Sequence, residues 1–260
     1  MLTVTNVSYK IGNKILLDNV SATFEAGKLN LIIGPNGAGK STLIKVLCKQ
    51  IKPGNGQVLF GDKPLEEYTD LEMGKIRSVL SQNIELSFPM NVWEVVMMGR
   101  YPHFSVKPTS RDEKACEESM RFFDVWDMAE RNYMTLSGGE KQRVHFARVM
   151  AQIWYPVEHS YRYLIMDEPL TFLDVHYQYQ FMHKVVELLQ SGDIVVVGVV
   201  HDLNLAARFA DKILLINNAK VLAEGSKNHV LTAENIKTAY RLNPVLIADK
   251  EKGLLNLFFE

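Results

Sequence analysis

Leu29-Asn30-Leu31-Ile32-Ile33-Gly34-Pro35-Asn36-Gly37-Ala38-Gly39-Lys40-Ser41-Thr42 is the stretch on which the fold turns. A short apolar run stops at a turn holding three glycines, and from Ser41 to Lys49 the apolar residues recur with helical spacing. That order is strand, loop, helix. The spacing of Gly34, Gly39, Lys40 and Ser41 is that of a phosphate-binding loop. Glycines let successive backbone N–H groups turn toward one point and admit phosphate oxygens without Cβ clashes. The helix that follows presents its positive end to the anion. In this chemistry Lys40 pairs with the β- and γ-phosphates, and Ser41, with Thr42 beside it, offers a hydroxyl to Mg²⁺.

On the N-terminal side, Leu2 to Tyr9 and Ile15 to Phe24 alternate apolar with polar residues, as half-buried strands do. On the C-terminal side a second strand–helix unit follows. Tyr163 to Met166 is an apolar strand ending in Asp167-Glu168-Pro169, Val175 to Leu189 reads as helix, and Gly192 stops it. Ile194 to Val200 is another buried strand, ending at His201. Ile213 to Ile216 and Lys220 to Ala223 flank Asn217-Asn218, which predicts a hairpin turn there. Between these parts lie Asn91 to Arg100, Arg111 to Trp126 and Glu140 to Gln152, all helical in pattern. The expected class is therefore α/β, with a helical insertion in a mixed core.

Asp167 and Glu168 stand at a strand end, where parallel α/β sheets bind ligands. Asp167 is suited to hold Mg²⁺ through water, and Glu168 to orient or deprotonate the attacking water. His201 ends the next strand, where an imidazole can contact a γ-phosphate; a histidine so placed is also commonly structural. Leu136-Ser137-Gly138-Gly139-Glu140 precedes a further helix and reads as a capping box, with Ser137 as cap and Glu140 three residues on. Two glycines in a first turn each cost up to ~1 kcal/mol of helix stability relative to Ala. A phosphate at that N-terminus accounts for Ser137, Gly138 and Gly139 together. One γ-phosphate cannot easily meet both glycine-rich loops of a single chain. Two copies placed head to tail, each offering its Ser137 loop to the other's phosphate loop, resolve this.

Composition restricts the alternatives. Lys and Arg total 29 against 30 Asp and Glu, a formal net charge of −1, which argues against a partner held by a global basic field such as nucleic acid. Cys48 and Cys116 show no metal-ligand spacing; Cys48, in an apolar run, reads as a buried small residue, and the setting as reducing. Met1 to Asn6 lacks the basic and apolar parts of a signal peptide, and no apolar run approaches the ~20 residues that span a bilayer. Any membrane role is expected to come through a partner.

With these residues in hand the chain resembles the nucleotide-binding subunit of ATP-binding-cassette transporters along nearly its whole length. Gly34 to Thr42 matches the family's first nucleotide motif, Leu136 to Glu140 its signature, and Tyr163 to Glu168 its second nucleotide motif. The resemblance implies further roles. Asp174 fits the loop that crosses the dimer interface, and His201 the switch histidine. Gln82 fits the glutamine that touches nucleotide and metal and links them to the helical subdomain. Tyr9 takes the position of the aromatic that stacks on adenine. Leu170, Thr171 and Phe172 depart from the usual smaller or hydroxyl residues, which touches interface packing rather than catalytic atoms.

The implied fold is a P-loop NTPase cassette: a RecA-like core with an N-terminal antiparallel β part and an inserted α-helical subdomain. Residues 1–84 and 156–230 form the core, 85–155 the helical subdomain and 231–260 a C-terminal tail of no derived role. The implied activity is ATP hydrolysis with Mg²⁺. The implied assembly is a homodimer beneath two transmembrane permease subunits, fed by a periplasmic or surface substrate-binding protein. Its place would be the cytoplasmic face of the bacterial inner membrane, held peripherally. Catalytic roles fall to Lys40, Gln82, Glu168 and His201; nucleotide contacts to Tyr9, Gly34, Pro35, Asn36, Gly37, Ala38, Gly39, Lys40, Ser41, Thr42, Ser137, Gly138, Gly139 and Asp174; metal contacts to Ser41, Gln82 and Asp167. Phe88, Met90 and Trp93 are candidate permease contacts or ordinary core.

Asn91-Val92-Trp93-Glu94 and Met98-Gly99-Arg100-Tyr101-Pro102-His103 look like importers of iron chelates, haem and cobalamin. The longer link through Trp154-Tyr155-Pro156-Val157-Glu158-His159 is similar to that of bacterial haem importer subunits. Haem is the favoured cargo, ahead of ferric siderophore and cobalamin. His103 and His159 are read as surface residues, not haem ligands. Two rivals are weaker: soluble non-transport cassette ATPases carry coiled coils or paired cassettes, and P-loop kinases lack Leu136 to Glu140.

Overall fold

The computed structural model describes residues 1–81, 89–170, 173–249 and 254–259. In chain order the first part gives β1 (Leu2–Ile11), β2 (Lys14–Phe24), β3 (Leu29–Ile33), α1 (Lys40–Leu47), β4 (Asn55–Phe60), β5 (Lys63–Pro64), α2 (Asp70–Ile76) and β6 (Arg77–Leu80). A helical stretch follows: α3 (Val92–Met97), a 3-10 segment Met98–His103, α4 (Ser110–Phe122) and α5 (Gly138–Gln152). The rest is β7 (Arg162–Asp167), α6 (Val175–Leu189), β8 (Ile194–Val199), α7 (Leu203–Phe209), β9 (Lys212–Asn217), β10 (Lys220–Gly225), α8 (Lys227–Val230), α9 (Ala233–Tyr240), β11 (Pro244–Asp249) and β12 (Leu254–Phe259).

An antiparallel sheet of order β2-β1-β4-β5 lies against a six-stranded sheet of order β10-β9-β3-β8-β7-β6, parallel except at β10. The parallel strands are mostly apolar because both faces are covered, with Asn30, Ser78 and Arg162 buried among them. Ile32, Ile165, Val195 and Val197 face the antiparallel sheet and α1; Leu29, Leu31, Ile33, Leu164 and Val196 face the helices on the other side. Each such side chain contributes about 1.5–3 kcal/mol by leaving water.

The helical layer is locked by the segment that sequence reading used only as a branch marker. A Cβ at Gly99 would stand 2.1 Å from the Arg148 carbonyl, so the backbone packs directly on α5. Arg100 is buried and pairs with buried Asp112 at 2.9 Å, while its other nitrogen donates to the Ala151 carbonyl at 2.7 Å. One guanidinium thus joins the start of α4 to the end of α5. The link after α5 is anchored too: Trp154 Nε1 and the Tyr155 hydroxyl donate to Glu118 at 2.7 and 3.0 Å.

The structure revises some expected elements. The Asn91–Arg100 helix splits at Met97 into α3 and the 3-10 segment, and the Arg111–Trp126 helix ends at Phe122, where Asp124 turns left-handed. In the β9–β10 hairpin Asn217 pairs with Lys220, so the turn is Asn218-Ala219 rather than Asn217-Asn218; both have positive φ, as a type I′ turn requires. Among the described residues beyond 231 the chain forms α9 and an antiparallel strand pair, β11–β12. Cys48 is buried, as expected, and so is Cys116. Among the described residues no helix is long and apolar enough to cross a membrane.

Candidate active site

Three neighbouring strands deliver the candidate residues. Ile32 of β3 and Asp167 of β7 both lie in register with Val199 of β8. At about 4.8 Å between neighbours, the ends of β3 and β7 stand about 10 Å apart with β8 between them. The Gly34 turn, His201 and Asp167-Glu168 therefore emerge along one edge.

The Gly34–Gly39 turn is shaped by the chain around it. Gly34 has φ +149°, and a Cβ there would lie 2.1 Å from the Ile216 carbonyl oxygen. Gly39 has φ +114°, with the Leu16 carbonyl 2.5 Å from its Cβ position. The Ala219 amide, in the β9–β10 turn, donates to the Ala38 carbonyl at 3.0 Å. Asn36 and Gly37 are exposed at the tip; Gly34, Ala38, Gly39 and Lys40 are buried, and Pro35, Ser41 and Thr42 are half-buried. No side chain caps α1, so its first amides are left for an anion. Lys40 Nζ donates to the Gly34 and Pro35 carbonyls at 2.8 and 3.0 Å. Burial lowers the Lys40 pKa, while Glu168 and Asp167 partly oppose that.

Glu168 Oε1 lies 2.6 Å from His201 Nε2, so two residues assigned separate roles are directly joined. Glu168 has φ +52°, a left-handed conformation uncommon for a residue with a Cβ and of the kind stored at functional sites. Burial raises the pKa of Asp167, and Glu168 raises it further; Lys45, Lys40 and His201 pull the other way. Asp167 Oδ1 is buried with no hydrogen-bond partner among the described residues. An orphaned carboxylate oxygen and the Ser41 hydroxyl form a hard-oxygen donor set that fits Mg²⁺.

The second glycine pair lies apart from this edge, at the start of α5. Ser137 caps the helix as a full capping box: its Oγ accepts from the Glu140 amide at 3.3 Å and its amide donates to Glu140 Oε2 at 2.8 Å. A hydroxyl that accepts there keeps its own proton for donation. Ser137 and Gly138 are exposed, and nothing lies within 4 Å of a Cβ built on Gly138. The link back to the strand edge is Gln142, whose Nε2 donates to the Pro169 carbonyl at 2.9 Å. Asp174 caps α6 through the Tyr177 amide at 3.0 Å and is exposed. Tyr9 is half-buried on β1, opposite Leu17. Met90 and Trp93 pack in part on the core of the helical layer. Gln82 and Phe88 lie outside the described residues, as do Thr171 and Phe172.

Sequence reading missed three contributors. Arg100 gave a motif but no partner, and Gln142 and Asn204 gave no signal, since each bonds backbone far along the chain.

A family model described as ABC transporter matches residues 17–171. The chain is 38% identical over 249 residues to the Hemin import ATP-binding protein HmuV of Escherichia coli, covering 96% of this chain and 95% of that protein. It is 41% identical over 244 residues to the protein of the same name from Pseudoalteromonas translucida, covering 94% and 93%. Among solved structures, an inward-facing ABC transporter described as of metal-chelate type aligns with a TM-score of 0.83 at 24% identity, over 100% of this chain and 96% of that one. A bacterial ABC transporter cassette solved as a dimer aligns with a TM-score of 0.72 at 26% identity, over 87% and 99%.

Proposed function

The chain belongs to the ABC transporter family, and from that premise we propose that it is the ATPase subunit that drives haem import through a membrane permease. One observation carries the enzymatic half: the Gly34 turn with Lys40, the orphaned Asp167 oxygen and the Glu168–His201 pair emerge from three adjacent strand ends. The cargo rests on relatives named for hemin import that match nearly the whole chain.

ATP is the substrate. The amides of Gly37 to Lys40 and the uncapped start of α1 receive its phosphates, and Lys40 exchanges two carbonyl partners for phosphate oxygens. Tyr9 stacks on the base. Ser41, Asp167 and Gln82 hold Mg²⁺, which when bound neutralises phosphate charge. Glu168 draws the proton from the attacking water, and His201, 2.6 Å away, fixes that carboxylate's orientation and steadies the developing charge. The second copy's Ser137, Gly138 and Gly139 close over the γ-phosphate, with Asp174 at the crossing. Preorganised donors of this kind supply most of the rate gain. Closure moves the helical layer against two permease subunits on the cytoplasmic face of the inner membrane, which receive cargo from a binding protein outside.

The test is ATPase activity of the complex reconstituted with its permease and challenged with loaded binding protein. Haem-loaded protein should stimulate turnover several-fold and siderophore-loaded protein should not. Stimulation by a ferric siderophore or cobalamin alone would reassign the cargo. The absence of any stimulated ATPase would remove the transport reading.

A further inference from the structure

His201 reaches the strand edge on a short connection between β8 and α7, and its side chain is 45% exposed. Burial therefore does little to fix it; besides its contact with Glu168, the connection sets its place. Asp202 Oδ1 accepts the Asn204 and Leu205 amides at 2.7 and 3.1 Å, which sets the first turn of α7. Asn204 then uses its side chain elsewhere. Its Nδ2 donates to the Leu257 carbonyl at 3.1 Å and its Oδ1 accepts the Leu257 amide at 2.8 Å. One side-chain amide thus pairs with the backbone of β12 as a neighbouring strand would, on the side turned away from β11.

The hairpin that offers this backbone is itself anchored. Leu257 is buried, and Leu246 and Leu255 pack on the same core as the helical face of the parallel sheet. The preceding helix reaches the other half of the site: the hydroxyl of Tyr240, in α9, is buried against the backbone of Gly34. Thus α9 reaches the Gly34 turn, and β12 reaches the first turn of the helix that follows His201.

We infer that Asn204 is a positioning residue for hydrolysis, through which the β11–β12 hairpin holds the His201 segment at its distance from Glu168. This rests on the ATPase reading above. Phosphate binding depends on β3 and α1, so loosening α7 alters the chemical step and leaves ATP affinity alone.

Asn204→Ala in the full chain tests it. Losing a paired amide should lower kcat about tenfold while KM for ATP changes by less than about twofold. Asn204→Asp keeps the acceptor for the Leu257 amide but sets a carboxylate oxygen against the Leu257 carbonyl, so its kcat should fall at least as far as that of Asn204→Ala. Amide exchange at residues 202–205 should speed up in Asn204→Ala, with that of α1 unchanged. A kcat within twofold of the parent, a KM rising in step with the loss, or unchanged exchange at 202–205 would overturn the assignment. If the parent chain proves to have no ATPase activity, the enzymatic reading fails separately, and exchange still decides whether the hairpin holds α7.

Discussion

Two glycine-lined turns open helices in this chain, the one at Gly34–Gly39 before α1 and the one at Ser137–Gly139 before α5. The first is made by its surroundings. Ile216 and Leu16 carbonyls occupy the space that side chains at Gly34 and Gly39 would take, and both glycines hold positive φ. The second has no such pressure within the chain: the space at Gly138 is open, and Gly139 would meet only the Tyr177 ring at 3.8 Å, an ordinary contact. Glycine in a first turn still costs helix stability there. A costly residue with no neighbour inside the chain has its reason outside it, which is what a phosphate bound by a facing copy would supply.

The difference is open to attack by substitution. Gly34→Ala puts a methyl group 2.1 Å from a backbone oxygen that cannot swing away, at a φ that L-residues avoid. It should lower the melting temperature by several degrees and abolish ATP binding, corresponding to about 3 kcal/mol or more of lost stability. Thermal melts and calorimetric titration with ATP read both; an unchanged melt would mean that the turn is not held by Ile216.

Gly138→Asp should do the reverse. A carboxylate in the first turn of α5 favours the helix through its dipole by about 0.3–1 kcal/mol, so the melt should hold or rise. In the proposed dimer the same charge faces a γ-phosphate, and turnover should fall by roughly ten- to a hundredfold, about 1.4–2.7 kcal/mol. Steady-state ATPase and size-exclusion chromatography with ATP make the check. A variant that keeps full turnover would leave the second loop as a cap and nothing more.

The first turn was legible and the second only half so, for the same physical reason. A phosphate loop is local: apolar strand, glycines, Lys40 and helix follow one another, and the observed β3 keeps the expected bounds of Leu29 and Ile33. The Ser137 capping box is equally local and was read directly from spacing. Three features were not written locally. Arg100 needed Asp112 and Ala151 on two other helices. Asn204 needed Leu257, 53 residues away. The hairpin holding Leu257 gives only weak alternation, because Val245, Ile247 and Phe258 sit on its exposed side beside Asn256. Even the β9–β10 turn shifted by one residue, since positive φ at Asn218 and Ala219, not composition, chose it.

A test by pH bears on the layer that carries the second turn. The far end of α5 is held by buried Arg100 and Asp112. Burial by itself pushes the Asp112 carboxyl upward, but bonds from the Thr109 hydroxyl and amide, and then Arg100, together hold it below its ordinary value of 3.8. A depressed carboxyl pKa contributes stability above the unfolded value and loses it as pH falls through the folded one. Acid below about pH 4 should therefore loosen the helical layer through Asp112. Asp112→Asn, which leaves Arg100 buried without its counter-charge, should start about 3–5 kcal/mol less stable at neutral pH. It should then lose less on acidification, so the two melting curves plotted from pH 6 to pH 3 converge. The other depressed carboxylates titrate in both proteins and cancel. Curves that stay parallel would mean that Arg100 does not depend on the Asp112 charge, and that the layer bearing Ser137 is held by its apolar contacts alone.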